Sequence, residues 1–112
     1  MDPIATATLK LSANRGTARL WLEGAKLAKA GFNRYDSYSV VLETVDGIDT
    51  VNVFASETGS GKVAGRPPRK EGGQPLPIID RHISEWNALI GTHRLAVQYF
   101  PGMVVITPER IS

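Results

Sequence analysis

Apolar and polar residues alternate with a period of two along much of this chain, the spacing of half-buried strands. Thr6-Ala7-Thr8-Leu9-Lys10-Leu11 follows that pattern and Arg19-Leu20-Trp21-Leu22 returns to it. Between them Asn14-Arg15-Gly16 is a turn signal, because Asn and Gly tolerate positive φ. Residues 5–22 are therefore predicted as a β-hairpin. Tyr38 to Leu42 and Thr50 to Phe54 read as strands around a Val45-Asp46-Gly47 turn, and Arg94 to Tyr99 and Met103 to Ile106 as strands around Pro101-Gly102. Helical spacing occurs twice. Glu23 to Ala30 places Leu27 and Ala30 on one face, with Gly31 at the C-cap and Phe32 packing back. Ile83 to Leu89 sets Trp86 three residues after Ile83, with Ile90 four further on and Gly91 as the cap.

Glu57 to Pro77 breaks the alternation. The stretch is dense in Gly and Pro and also carries Lys62, Arg66, Arg69 and Lys70. Pro67-Pro68 would interrupt a central strand, so a mobile loop or irregular hairpin tip is expected. After it, Pro77-Ile78-Ile79-Asp80 is an apolar strand ending in an acid, as Leu20-Trp21-Leu22-Glu23 is in the first half. The halves share an order of elements: strand, two-turn helix with Gly cap, strand, Gly turn, strand. A repeat over 5–56 and 57–112 within one domain, 1–112, follows. One copy is too small to bury both of its faces, so two should close about a pseudo-twofold axis. The expected fold is mainly β with short helices, a small barrel from two pseudo-symmetric strand–helix–strand–strand units. Its shared core is Leu22, Leu27, Phe32, Val40, Val53, Ile79, Trp86, Leu95, Val97 and Val104.

Composition narrows the chemistry. The chain has 112 residues, 42% hydrophobic and 21% charged, which suits one folded domain. With no Cys there is no disulfide, thiolate metal site or cysteine nucleophile. No apolar run approaches the ~20 residues that span a bilayer, and Met1-Asp2-Pro3-Ile4 lacks the layout of a signal peptide, so a cytoplasmic location and no membrane partner are expected. His82 and His93 stand 11 residues apart without a third ligand pattern, so no metal is expected. No Gly-x-Ser-x-Gly elbow or Ser–His–Asp arrangement is present, and Gly59-Ser60-Gly61-Lys62 lacks the spacing of a phosphate-binding loop. No catalytic residue, cofactor or small-molecule substrate is assigned, and the chain is not expected to be an enzyme. Trp21 and Trp86 read as core anchors.

Net charge is only +2, but it is unevenly placed. Residues 1–36 hold six basic and three acidic side chains, and 57–81 hold five and three. Between them, 37–56 holds Glu43, Asp46 and Asp49 and no base. Two basic blocks would serve a polyanion if they met in space; otherwise they are ordinary solvated side chains.

The segment Arg19-Leu20-Trp21-Leu22-Glu23-Gly24-Ala25-Lys26-Leu27-Ala28-Lys29-Ala30-Gly31-Phe32 resembles the units of swapped-hairpin AbrB and MazE-type transcription factors, and more closely their SymE-like branch. Asn14-Arg15-Gly16, Ser60-Gly61-Lys62 and Pro77-Ile78-Ile79-Asp80 are similar to pieces of a small domain ahead of some bacterial and phage DNA cytosine methyltransferases. The likeness covers residues 12–107, and no methyltransferase module follows, so methylation chemistry does not carry over. The resemblance implies DNA contact by bases on the hairpin before each helix. Here these are Lys10, Arg15 and Arg19 in the first unit and Lys62, Arg66, Arg69 and Lys70 in the second, where Arg suits both phosphates and base edges. A non-enzymatic DNA-binding or regulatory domain is the leading expectation. The alternatives are a small phage-type inhibitor that binds a host defence complex (anti-CRISPR or anti-restriction), and a subunit that homodimerises through an open sheet edge.

Overall fold

The computed structural model describes residues 2–67, 71–73 and 75–111, and they form two antiparallel sheets over one core. The chain runs β1 (Ala5–Lys10), β2 (Ser12–Asn14), β3 (Thr17–Glu23), α1 (Ala25–Lys29), β4 (Ser37–Val45), β5 (Ile48–Ala55), β6 (Gly61–Lys62), β7 (Ala64–Arg66), β8 (Leu76–His82), a 3-10 helix (Ser84–Leu89), β9 (His93–Phe100) and β10 (Met103–Arg110). The larger sheet has the order β1-β9-β10-β5-β4-β6 and the smaller β2-β3-β8-β7. The fold is thus mainly β with short helices, as the alternation predicts. Among the described residues no helix is long and apolar enough to cross a membrane.

Alternation decides which side chains go in. On β3, Ala18, Leu20 and Leu22 are buried while Thr17, Arg19 and Trp21 look outward. Nine of the ten expected core residues are buried, and Val40 packs against them half-buried. Trp21 is a correction. Its register on β3 puts it opposite to Leu20 and Leu22, so it lies half-buried on the outer face of the small sheet. Trp86, on the 3-10 helix, is buried at 1% exposure as expected.

Two further expectations change. Residues 5–22 are not one hairpin. β1 pairs with β9, the chain turns at buried Leu11, and only β2 pairs with β3. The described first part of the segment from Glu57, up to Pro67, also forms short strands where a loop is expected. β6 pairs with β4 and β7 with β8, and Val63 between them is 1% exposed, bonded to Tyr35 N and Asp36 O. Leu11 and Val63 each carry the chain from the large sheet into the small one, so a single buried side chain anchors each crossing.

Candidate nucleic-acid interface

The described basic residues singled out from sequence are spread over both sheets, with Arg15, Arg19 and Arg66 on the small one and Lys10 and Lys62 at opposite edges of the large one. Arg15 and Gly16 form the β2–β3 turn with φ of 53° and 80°, the positive pair that a two-residue hairpin needs to match strand twist. Arg15 is exposed there. Further along β3, Arg19 reaches across to Asp80 on β8, its Nε donating to Oδ1 at 2.7 Å and its Nη2 to Oδ2 at 2.6 Å. The same guanidinium stacks over the Trp21 ring, 4.6 Å from its centre. This forked contact holds the Asp80 carboxyl below the usual carboxylate range and raises the Arg19 guanidinium in turn. Arg19 is therefore neutralised in place. At the other end of this face, His82 Nε2 lies 3.3 Å from Asn14 Oδ1.

Lys10 and Lys62 each end a strand of the large sheet just before the crossing at Leu11 or Val63. Lys10 is exposed opposite Arg94. Lys62 donates from Nζ to Ser37 Oγ at 2.6 Å. Beside Lys62 the chain turns at Asn33–Asp36, where Asn33 N donates to Asp36 Oδ2 at 2.8 Å and Tyr35 N to Val63 O at 2.8 Å. These two bonds fix Tyr35 at a φ of 75°, a left-handed backbone that a bulky residue rarely adopts, and leave its ring 70% exposed. The Arg34 guanidinium stacks on that ring at 4.7 Å, and its stem runs over Gly65 of β7, where a Cβ would come within 2.6 Å of Arg34 Cδ. Arg34, Tyr35 and Lys62 thus converge on one corner. A shallow groove of about 430 Å³ opens there between Tyr35–Ser37 and Ala55–Glu57.

The two basic blocks meet where Arg34 lies beside Lys62 and Gly65, but Arg15 and Arg19 stand apart from Arg66. Arg19 is level with His82 on β8, whereas Arg66 is level with Leu76, so six residues, roughly 20 Å of strand, separate the two levels. The Arg15 turn lies beyond one end of the small sheet, and Arg66 pairs with Leu76 at the other. Arg66 is placed on β7 by its backbone; its side chain, and Arg69 and Lys70 entirely, lie outside the described residues.

Sequence reasoning missed Arg34 and Tyr35. The available signal was Asn33-Arg34-Tyr35-Asp36, an arginine–aromatic pair between two turn-forming residues. Among the described residues no group of three or more His, Asp or Glu is placed to hold a metal ion, and His82 and His93 engage Asn14 and Thr92 instead. The arrangement offers exposed cations and a stacking ring at one corner, with donors suited to phosphate. Compared with known proteins, the chain matches no family model, no curated protein and no solved structure.

Proposed function

We propose that the chain is a non-enzymatic DNA-binding regulatory domain of swapped-hairpin, AbrB-like architecture, closed from two pseudo-symmetric copies. The strand order supports this reading. Exchanging β1–β5 with β6–β10 turns β1-β9-β10-β5-β4-β6 into its own reverse, and does the same to β2-β3-β8-β7. Main-chain bonds between elements recur in matching pairs. Gly24 N donates to Pro77 O as Ile83 N does to Ala18 O, and Ser56 N to Ser37 O as Ile111 N does to Thr92 O. On these bonds Leu20 answers Ile79, two residues along from the alignment of acidic strand ends; Lys10 and Lys62 answer each other in place, each ending a strand one residue before its crossing.

The observation that carries the function is the Arg34–Tyr35–Lys62 corner, beside β7, which ends at Arg66; Arg69 and Lys70 follow in the sequence, outside the described residues. Contacts from three to five of these cations to a duplex backbone give a slope of about −3 to −4.5 in log affinity against log salt. Fluorescence anisotropy on a short DNA duplex across a salt series measures it. Arg34→Ala with Lys62→Ala should weaken binding at least tenfold while melting within a few degrees of wild type, because these exposed charges add little to stability, and Arg66, Arg69 and Lys70→Ala should separately weaken binding at least tenfold. Affinity independent of salt, or unchanged in both variants, refutes the reading and leaves a protein-directed inhibitor as the better account.

A further inference from the structure

The large sheet treats its two outer strands unequally. On one side β1 covers β9 along six residues, from Ala5 opposite Tyr99 to Lys10 opposite Arg94. On the other side β6 covers β4 only at Ser37 and Tyr38. From Ser39 onward β4 has β5 on one side and no strand on the other among the described residues. Ladder geometry says which groups this leaves open. Ser56 N donates to Ser37 O, and the two-residue turn at Asp46-Gly47 closes with Val45 opposite Ile48, so the odd-numbered residues of β4 bond to β5. The N–H and C=O of Val40, Leu42 and Thr44 therefore point out of the sheet.

The side chains along this edge are apolar and acidic. Val41 is 41% exposed and Leu42 38%, on opposite faces of the strand. Glu43 lies on the Val41 face, held by Asn52 Nδ2 at 2.5 Å. On the Leu42 face a groove of about 240 Å³ runs between Leu42, Thr44 and Asp49 and the 3-10 helix, bounded by Glu85 and Trp86. Trp86 Nε1, buried at that groove, has no hydrogen-bond partner among the described residues. Residues 37–56 contain three acids and no base, in a chain whose net charge is +2.

We propose that the open edge of β4, from Ser39 to Thr44, is a docking site for an extended basic segment of a partner protein, which adds to the large sheet as an antiparallel strand. The three outward main-chain pairs supply the ladder, as in other strand-addition complexes. Alternate side chains of the incoming strand fall on the Val41–Glu43 face and into the Leu42–Trp86 groove. Acids wait on both faces, Glu43 on one and Asp49 and Glu85 on the other, so the strand that fits is basic residues interleaved with apolar ones. A second copy of the chain fits poorly, because its own edge brings Glu43 and no base. This site is independent of the nucleic-acid corner.

The test uses a nine-residue peptide alternating Lys and Val, with a Glu–Val peptide as comparator, titrated by anisotropy together with amide exchange of the full chain. The Lys–Val peptide should bind saturably and slow exchange at Leu42 and Thr44, and the Glu–Val peptide should not. Glu43→Lys with Glu85→Lys should weaken binding at least tenfold. Leu42→Pro removes one outward donor without breaking the β4–β5 ladder, since proline is tolerated where its nitrogen faces solvent. It should abolish binding while Val41 and Glu43 amides stay protected. No saturation by about 1 mM peptide, slowed exchange elsewhere than β4, equal binding to both charge types, or dimerisation through β4 without peptide would each overturn the proposal.

Discussion

Trp86 puts the largest single side chain into the core, and truncating it tests where the core sits. The ring is the largest fully buried side chain, 1% exposed on a helix of only six residues, so no ladder of its own holds that segment in place. Trp86→Ala would open a void of roughly 140 Å³, which at ~24 cal/mol per Å³ costs about 3.4 kcal/mol, within the 3–5 kcal/mol range of buried aromatic truncations. A domain of this size is stable by only about 5–15 kcal/mol, so the loss is between about a quarter and two-thirds of the total. At about 4 °C per kcal/mol, Tm should fall by roughly 12–20 °C. Trp86→Phe separates packing from hydrogen bonding. It leaves a void of roughly 40 Å³, worth about 1 kcal/mol, but it also removes a buried indole N–H that has no partner among the described residues. Such a donor costs about 1–3 kcal/mol, so Trp86→Phe should range from neutral to about 2 kcal/mol more stable than wild type. Urea unfolding with both midpoints and slopes measures the pair. An Ala variant within 1 kcal/mol of wild type would place the ring outside the core, and a Phe variant as damaging as Ala would mean that the N–H is satisfied.

Gly61→Ala should destabilise the protein by about 1–3 kcal/mol, read from its urea midpoint, because the new Cβ would lie 2.4 Å from the ring of Tyr38, itself 3% exposed and unable to swing away. Asp80 gives a pH signature. Its carboxyl is held below its ordinary value by Arg19, so the folded state gains stability above the unfolded carboxylate pKa of about 4, and loses it as pH falls through the lower folded value. Melting curves from pH 7 to pH 2 should show Asp80→Asn below wild type near neutrality and converging with it in acid; the gap is small because water screens both side chains.

The sheets were legible because burial enforces alternation, and the turns because positive φ leaves few residue choices. Gly31 and Gly91 take φ of 98° and 86° at the two cap positions, and Gly47 and Gly102 are at the hairpin turns. What the pattern hid was long-range pairing. Alternation in Ala5–Lys10 is satisfied equally well beside β2 or beside β9, and nothing local says which. Glycine made the β6–β7 segment look loose for a different reason. Gly61 and Gly65 are small because the Tyr38 ring and the Arg34 stem lie against them, so there glycine marks close packing. The candidate site was half visible. Basic side chains are plain in a sequence, but whether a carboxylate on another strand neutralises one is not, and Arg19 is matched by a residue 61 positions away.

That cancellation shifts the charge map onto a single hairpin. β4 begins at the basic corner, where Lys62 bonds Ser37 and Arg34 covers Tyr35, and it ends in the acidic arm with Glu43, Asp46 and Asp49. Ser37 and Val45 stand eight residues apart, about 26 Å at strand rise. The Debye length at physiological salt is about 8 Å, so a charge at one end is screened by more than an order of magnitude at the other. Even unscreened, two unit charges at that distance in water interact by only about 0.16 kcal/mol. The two ends should therefore act as separate sites. Glu43→Lys with Glu85→Lys, which adds four positive charges' worth of change to the acidic end, should alter duplex affinity by less than about twofold at 0.15 M salt. The same variant should bind duplex visibly tighter at 0.01 M, where the Debye length of about 30 Å spans the hairpin. A tenfold gain already at 0.15 M would mean that DNA reaches the arm directly, and the division of β4 into two surfaces would fail.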